Sequence, residues 1–213
     1  MKITTASVTI EDDIDGHEMI RKIEAAGRTC YKSEDRMAQG TAEAFIKRIT
    51  SSGHESVIEH EKVTARIVCD RGVSHELVRH RIASFSQEST RYCNYANDKF
   101  GNEITVIEPR YWQGNDKMRG LWLRAMADAE RHYFELIENG ANAQEARSVL
   151  PNSLKTEIVV TMNLREWRHF FKVRTAKAAH PQMREIAIQA LRMFKKVVPV
   201  VFDDISIPKD VEV

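Results

Sequence analysis

Residues 155–175 read KTEIVVTMNLREWRHFFKVRT. The stretch 155–162 is rich in β-branched side chains and reads as a strand. From Leu164 the period changes. On a helix at about 100° per residue, Leu164, Trp167, Phe170, Phe171 and Arg174 form one stripe. Arg165, Arg168, His169 and Lys172 fall on the other side. A guanidinium on an apolar stripe is unfavourable unless paired. The partner of Arg174 is either a structural carboxylate or a ligand.

Working outward, the same mixture of strand and helix recurs. Downstream, 181–198 reads as a helix. Upstream, 142–150 reads as a short helix ending before Pro151. Residues 121–138 carry Trp122, Ala125, Met126, Ala129, Tyr133, Leu136 and Ile137 at helical spacing, with Gly140 suited to the C-cap. A short strand is expected at 104–107, before Pro109. Ser74 reads as the N-cap of a helix through about Ala83, and 62–69 alternates as a strand. Thr41 reads as the cap of a helix to about Ser51 that stops near Gly53. Residues 17–27 read as a helix and 2–10 as one strand. There is no regular βαβ alternation and no repeat. The expected fold is α+β, a mixed sheet with packed helices. One domain over 1–213, with a helical extension, is expected.

Composition excludes some functions. Lys plus Arg is 32 and Asp plus Glu is 31, a net charge of +1, so no bulk positive field favours nucleic acid. Three cysteines, Cys30, Cys69 and Cys93, lack CxxC spacing and argue against a disulfide framework or zinc knuckle. The start, MKITTASVTI, lacks a long apolar segment, and no stretch approaches the roughly 18 apolar residues of a membrane span. A soluble cytoplasmic protein with no membrane partner is expected.

The densest chemistry is Arg79-His80-Arg81, followed by Ser84, Gln87, Ser89 and Arg91. Adjacent cationic groups repel one another, and a bound anion relieves this. Arginine suits bidentate phosphate contacts. If 87–91 is extended, Gln87, Ser89 and Arg91 share a face, where an amide, a hydroxyl and a guanidinium can read a polar base and its phosphate. A bare RHR triplet would more simply be a solvated basic face closing a helix.

The full string RHRIASFSQESTR resembles the signature of the flavin-dependent thymidylate synthases: RHR, seven residues, then SxR. The resemblance runs in order from about Arg28 to Lys196. Gly53-His54-Glu55-Ser56 with Glu59-His60 resembles the family block G-H-E-[ST]-x-x-E-H. Its spacing is not that of a zinc motif, so no metal is expected; otherwise it reads as a helix cap plus a buried histidine. Ala146 to Pro151 resembles A-R-x-x-L-P. Asn163-Leu164-Arg165 with His169 resembles the second flavin-binding segment.

The resemblance implies reductive methylation of dUMP to dTMP, with 5,10-methylenetetrahydrofolate as carbon donor and NADPH-reduced FAD as reductant. It implies a homotetramer with sites at subunit interfaces. It assigns dUMP to Glu76, Arg79, Gln87, Ser89, Arg91, Arg147 and Arg174, with Arg174 stabilising negative charge on the pyrimidine as the catalytic group. It assigns FAD to His54, Ser56, Arg79, His80, Arg81, Gln87, Asn163, Arg165 and His169. The chain has no Pro-Cys-His nucleophile motif, so ring activation is expected without a thiolate. With no GxGxxG, a Rossmann-type FAD site is not expected. Gln87 stands where many members carry Glu, His169 where some carry Asn, and Cys30 where Ser can occur. A phosphate-tracking nucleic-acid module and a histidine phosphatase are the competing readings; the second wants an RHG motif after an early strand.

Overall fold

At Asn163 the chain passes from strand to helix, and the Asn163 side chain accepts the Glu166 N–H at 2.8 Å. This caps a helix whose apolar stripe was legible in sequence. Leu164, Trp167, Phe170 and Phe171 are all fully buried. The Trp167 indole donates to the Val63 carbonyl at 3.0 Å, so its one polar atom is satisfied in the core.

The computed structural model describes residues 1–208. In chain order the strands and α-helices are β1 (Lys2–Thr4), β2 (Ser7–Ile10), α1 (Gly16–Thr29), α2 (Thr41–Ser51), β3 (Lys62–Asp70), α3 (Arg71–Leu77), β4 (Ala83–Gln87), β5 (Thr105–Ile107), α4 (Asp116–Glu138), α5 (Ala143–Ala146), β6 (Lys155–Asn163), α6 (Leu164–Arg174), α7 (Pro181–Val197) and α8 (Pro199–Phe202). Four strands hydrogen-bond in the order β2-β3-β6-β4, and β1 pairs with β5 in parallel. The architecture is mixed α+β, as expected. No described helix is long and apolar enough to cross a membrane.

The chain groups into two compact units. The first comprises 1–7, 67–79 and 86–158. Its core gathers Tyr95, Ile104, Val106, Met126, Tyr133, Ala146 and Leu154. Helix α4 supplies Met126 and Tyr133, one face of the expected stripe. Gly140, at φ +95°, follows its end, a conformation favoured by glycine. Asn142 and Glu145 form a capping box that starts α5.

Among the described residues, the second unit comprises 8–66, 80–85 and 159–208. Trp167, Phe171, Phe194 and Phe202 interlock with ring centroids 4.7–5.6 Å apart. Burying each such ring contributes roughly 1.5–3 kcal/mol. Within this unit β3 and β6 run antiparallel. Thr64 and Thr161 hydroxyls meet at 3.0 Å, and the Leu164 N–H returns to Glu61 O at 3.0 Å.

Several expectations need correction. The strand expected over 2–10 is two strands in different sheets. Alternation reports a pleat, not the identity of the partner. Asp70, not Ser74, caps α3: its Oδ1 accepts the Val73 N–H at 2.7 Å. Ser74 lies within the helix and donates to Arg71 O at 3.0 Å. The helix ends at Leu77, so residues 79–81 lie beyond it. Gly40, at φ +83°, precedes α2, while Thr41 is its first residue and donates to Glu24 at 2.9 Å.

Candidate active site

The RHR triplet sits in the turn between α3 and β4. Arg79 and Arg81 are exposed, whereas His80 is buried. The candidate residues fall in both units. Glu76, Arg79, Gln87, Ser89, Arg91 and Arg147 belong to the first. His54, Ser56, His80, Arg81, Asn163, Arg165, His169 and Arg174 belong to the second. The expected nucleotide set thus lies in the first unit except for Arg174. The expected flavin set lies in the second except for Arg79 and Gln87.

In the first unit, Gln87 ends β4 and is anchored. Its amide donates to Ser74 Oγ at 2.8 Å and Thr156 Oγ1 at 3.1 Å. This fixes the amide orientation by the donors it must supply. The extended run expected over 87–91 does not form. Ser89 O accepts N–H groups of Tyr92 and Cys93 at 3.1 and 2.9 Å, and Ser89 Oγ accepts the Arg91 N–H at 3.3 Å. Residues 89–92 therefore turn, because the serine satisfies the local backbone. Gln87, Ser89 and Arg91 do not share a strand face. Arg147, which follows α5, reaches this turn: its Nη1 donates to Thr90 Oγ1 at 3.4 Å. Arg147 is brought to the segment that carries Ser89 and Arg91, from 57 residues away in the chain. Glu88 is held by Lys155 at 2.9 Å and by Tyr95 at 3.3 Å.

In the second unit, α6 presents functional groups along its length. Asn163 Oδ1 is committed to the helix cap. Arg165 pairs with Glu59. Arg168, on the side of α6 away from the apolar stripe, is 1% exposed and bonds Glu55, Asp204 and the Val201 carbonyl. Burial works to lower its pKa, but Asp204 and Glu55 outweigh this and hold it raised. Arg174 donates from Nε to His80 Nε2 at 3.1 Å. One partner of Arg174 on the stripe is thus an imidazole from the RHR triplet. His80 Nδ1 lies 3.0 Å from Glu166 Oε1.

His80, Glu166 and His169 bring ligand-type atoms within 4.8 Å of one another. Both His80 nitrogens are already engaged, one with an arginine. A cation there would face a guanidinium, so the trio reads as a hydrogen-bonded cluster.

The block around Gly53 does not contain the expected buried histidine: His54 and His60 are both exposed. Its acids matter instead. Glu55 holds Arg168 and Lys172, and Glu59 holds Arg165. Two cavities in this unit gather the flavin candidates. One, of about 490 Å³, is lined by Asn163, Arg165, His169, Ile82, Lys172, Glu55, Glu59 and Glu166. The other, of about 610 Å³, includes His54 and Ser56 with Cys30, Arg28, Arg36 and Arg48.

Glu55, Glu59 and Glu166 were missed as site residues. Glu166 had a signal: Asn163-x-x-Glu166 fits a capping box. Only the asparagine half of that pattern serves the cap, and the carboxylate turns to His80.

Comparison with known proteins identifies the family. Residues 14–200 match the family model described as thymidylate synthase complementing protein. The flavin-dependent thymidylate synthase of Geobacter sulfurreducens is 39% identical over 186 residues, covering 84% of this chain and 78% of that protein. The enzyme of the same name from Corynebacterium efficiens is 36% identical, covering 95% and 86%. Among solved structures, the UMP/dUMP methylase PolB from Streptomyces cacaoi, bound with 5-Br dUMP, shares the fold. It superposes with a TM-score of 0.80 at 23% identity, covering 95% of this chain and 96% of PolB. The motif order, the identity with these relatives and the shared fold converge: this chain belongs to the thymidylate synthase complementing protein family, that of the flavin-dependent thymidylate synthases.

Proposed function

We propose that this protein is a methyltransferase that converts dUMP to dTMP, taking carbon from 5,10-methylenetetrahydrofolate and reducing equivalents from NADPH through FAD. The reach of Arg147 to Thr90 carries the reading. It brings Arg147 to the turn that bears Ser89 and Arg91. Two guanidinium groups and a hydroxyl on one short segment suit a nucleotide phosphate. Gln87, just before this segment, and Glu76, in the same unit, supply polar contacts for the base. Arg79 extends the cationic set.

The donor set of the second unit fits FAD. Arg36 and Arg48 offer cations for a pyrophosphate beside His54 and Ser56, while Arg28 in the same lining is already paired with Glu24. Arg165, His169 and Asn163 offer polar contacts next to the apolar Ile82. Both cavities are in the size range of cofactor sites. His80 and Arg81 complete this set. Bound FAD supplies the redox chemistry of the reaction. The protein's own part is to hold the nucleotide by Arg91 and Arg147, and to place the Arg174 guanidinium where negative charge develops on the pyrimidine.

Two of the three cysteines, Cys69 and Cys93, are poorly placed to supply a thiolate. Burial pushes the Cys69 thiol up to about 12 and also raises Cys93. A raised pKa leaves little thiolate at neutral pH. The enzyme acts as a cytoplasmic homotetramer with sites at subunit interfaces, and binds neither nucleic acid nor membrane.

The test is the visible spectrum of the purified protein after incubation with FAD, repeated with NADPH and with dUMP. Oxidised-flavin bands that bleach with NADPH and shift with dUMP are expected. A colourless protein with no response to dUMP overturns the proposal.

A further inference from the structure

The second unit contains a short hydrogen-bonded chain, Glu166–His80–Arg174, whose first member lines the cavity of about 490 Å³ but is not among the residues the family resemblance assigns to nucleotide or flavin. Glu166 is 8% exposed, and its Oε1 lies 3.0 Å from His80 Nδ1. Arg174 Nε lies 3.1 Å from the other ring nitrogen, Nε2. An arginine Nε carries a hydrogen and cannot accept one. Nε2 must therefore present its lone pair. The proton of the neutral ring then sits on Nδ1, facing the carboxylate. The ring is held in place by the edge of Phe170, with centroids 5.1 Å apart.

We infer that Glu166 is a positioning residue for methyl transfer: it keeps the His80 proton on Nδ1, so that Nε2 remains an acceptor and fixes the plane of the Arg174 guanidinium. This rests on the reading of Arg174 as the cation that meets the pyrimidine. Glu166 and Arg174 lie at opposite ends of α6 and are joined through a residue from a distant part of the chain. The arrangement is second-hand for the substrate but direct for the arginine.

The charged and titratable groups that face His80 are Glu166, Arg174 and His169, all from α6. Burial holds the His80 pKa below its ordinary value, helped by Arg174 and His169, while Glu166 opposes the shift. Protonating Nε2 would set two N–H donors against each other, both on cationic groups. The alignment of Arg174 is therefore lost as pH falls through the His80 pKa. Replacing Glu166 by glutamine removes the group that raises this pKa, so the loss moves to lower pH. A glutamine amide can also donate to Nδ1, which lets the ring adopt the other tautomer.

Two measurements test the inference. The first uses the FAD-loaded protein with ¹⁵N-labelled histidine at pH 8, the His80 signals being assigned with His80→Gln. Long-range ¹H–¹⁵N spectra are expected to show Nδ1 protonated and Nε2 bare in the wild type, and mixed tautomers in Glu166→Gln. The second is steady-state kinetics of dTMP formation. Glu166→Gln should lower kcat roughly tenfold to a hundredfold. The KM for dUMP should stay within about twofold, and the acid limb of kcat should move to lower pH. Glu166→Asp, which keeps the charge, should recover part of kcat. A wild-type His80 with its proton on Nε2 overturns the inference without any variant. So does a Glu166→Gln enzyme with wild-type kcat and acid limb, or with a loss that is uniform across pH. A wild-type protein that shows the Nδ1 tautomer yet makes no dTMP overturns the assigned reaction, and the role of Glu166 in it, while leaving the tautomer as found.

Discussion

Arg168 and Asp204 form a two-pronged ion pair, with Nη1 and Nη2 of the arginine 2.6 and 2.7 Å from the two carboxylate oxygens. The pair joins the middle of α6 to the segment after α8. Glu55 closes the other side of the guanidinium at 3.0 Å. A charge this buried is stable only while its partners remain.

Arg168→Ala is therefore expected to destabilise the fold by about 3–5 kcal/mol, since it leaves Glu55 without its main partner and opens a cavity. Arg168→Met, which fills the space without the charge, should lose less. Thermal melts of the two variants against wild type check the order. Equal melting temperatures for Arg168→Ala and wild type would show that the pair contributes nothing.

Asp204 gives this pair a pH dependence. Its hydrogen bonds to Arg168 hold its carboxyl below the ordinary aspartate value. The folded pKa is depressed, so the stabilisation is present above the unfolded pKa and is lost as pH falls through the folded one. With an unfolded value of about 3.9, the loss begins near pH 4 and deepens below it. Asp204→Asn should lower stability at neutral pH and flatten the acid-side slope. Denaturant midpoints measured at pH 7 and between pH 5 and 3 check both signs.

The history of Arg168 shows where sequence reasoning stops. The aromatic stripe of α6 was legible because a 3.6-residue period reports a buried face directly. The same wheel put Arg168 on the side away from the stripe, and it cannot show that Asp204 and Val201, more than thirty positions on, return to cover that face. Motif spacing marked Arg147 and the 89–91 segment as related, but not how they meet. The turn at Ser89 was missed because QEST reads equally as the end of a strand. Ser74 was taken as a cap, although Asp70 lies four residues upstream and is the stronger acceptor. In each case the local pattern was sound and a competing partner decided the outcome.

Gln87 offers a test of the first unit that is independent of the flavin. Its amide satisfies the Ser74 and Thr156 hydroxyls, which are 0% and 1% exposed. Gln87→Ala takes this partner from the Thr156 hydroxyl, while Ser74 keeps its bond to Arg71 O, and should cost about 1–3 kcal/mol. Gln87→Glu should cost less, because the Thr156 hydroxyl can rotate and donate to a carboxylate. Chemical denaturation of both variants checks the ranking. If Gln87→Ala is as stable as Gln87→Glu, the two hydrogen bonds do not anchor this residue.

Arg174 gives the sharpest separation of binding from chemistry. Its Nε is held by His80, while the apolar stripe below it is packed by Trp167, Phe170 and Phe171. Those rings also pack on one another and on Phe194, contacts that truncating Arg174 leaves in place, so Arg174→Ala should leave the fold intact. FAD binding should also persist, because the flavin candidates Asn163, Arg165 and His169 line their own cavity. Methylation should fall by at least about a hundredfold, the scale on which loss of one charge-stabilising donor acts. Arg174→Lys keeps the charge but cannot reproduce the planar donor that meets His80 Nε2, so it should recover only a fraction. Flavin absorbance together with dTMP formation reads both effects in one sample. A fully active Arg174→Ala enzyme would falsify the role given to Arg174, whereas loss of both flavin and activity would move that residue from the pyrimidine to the cofactor.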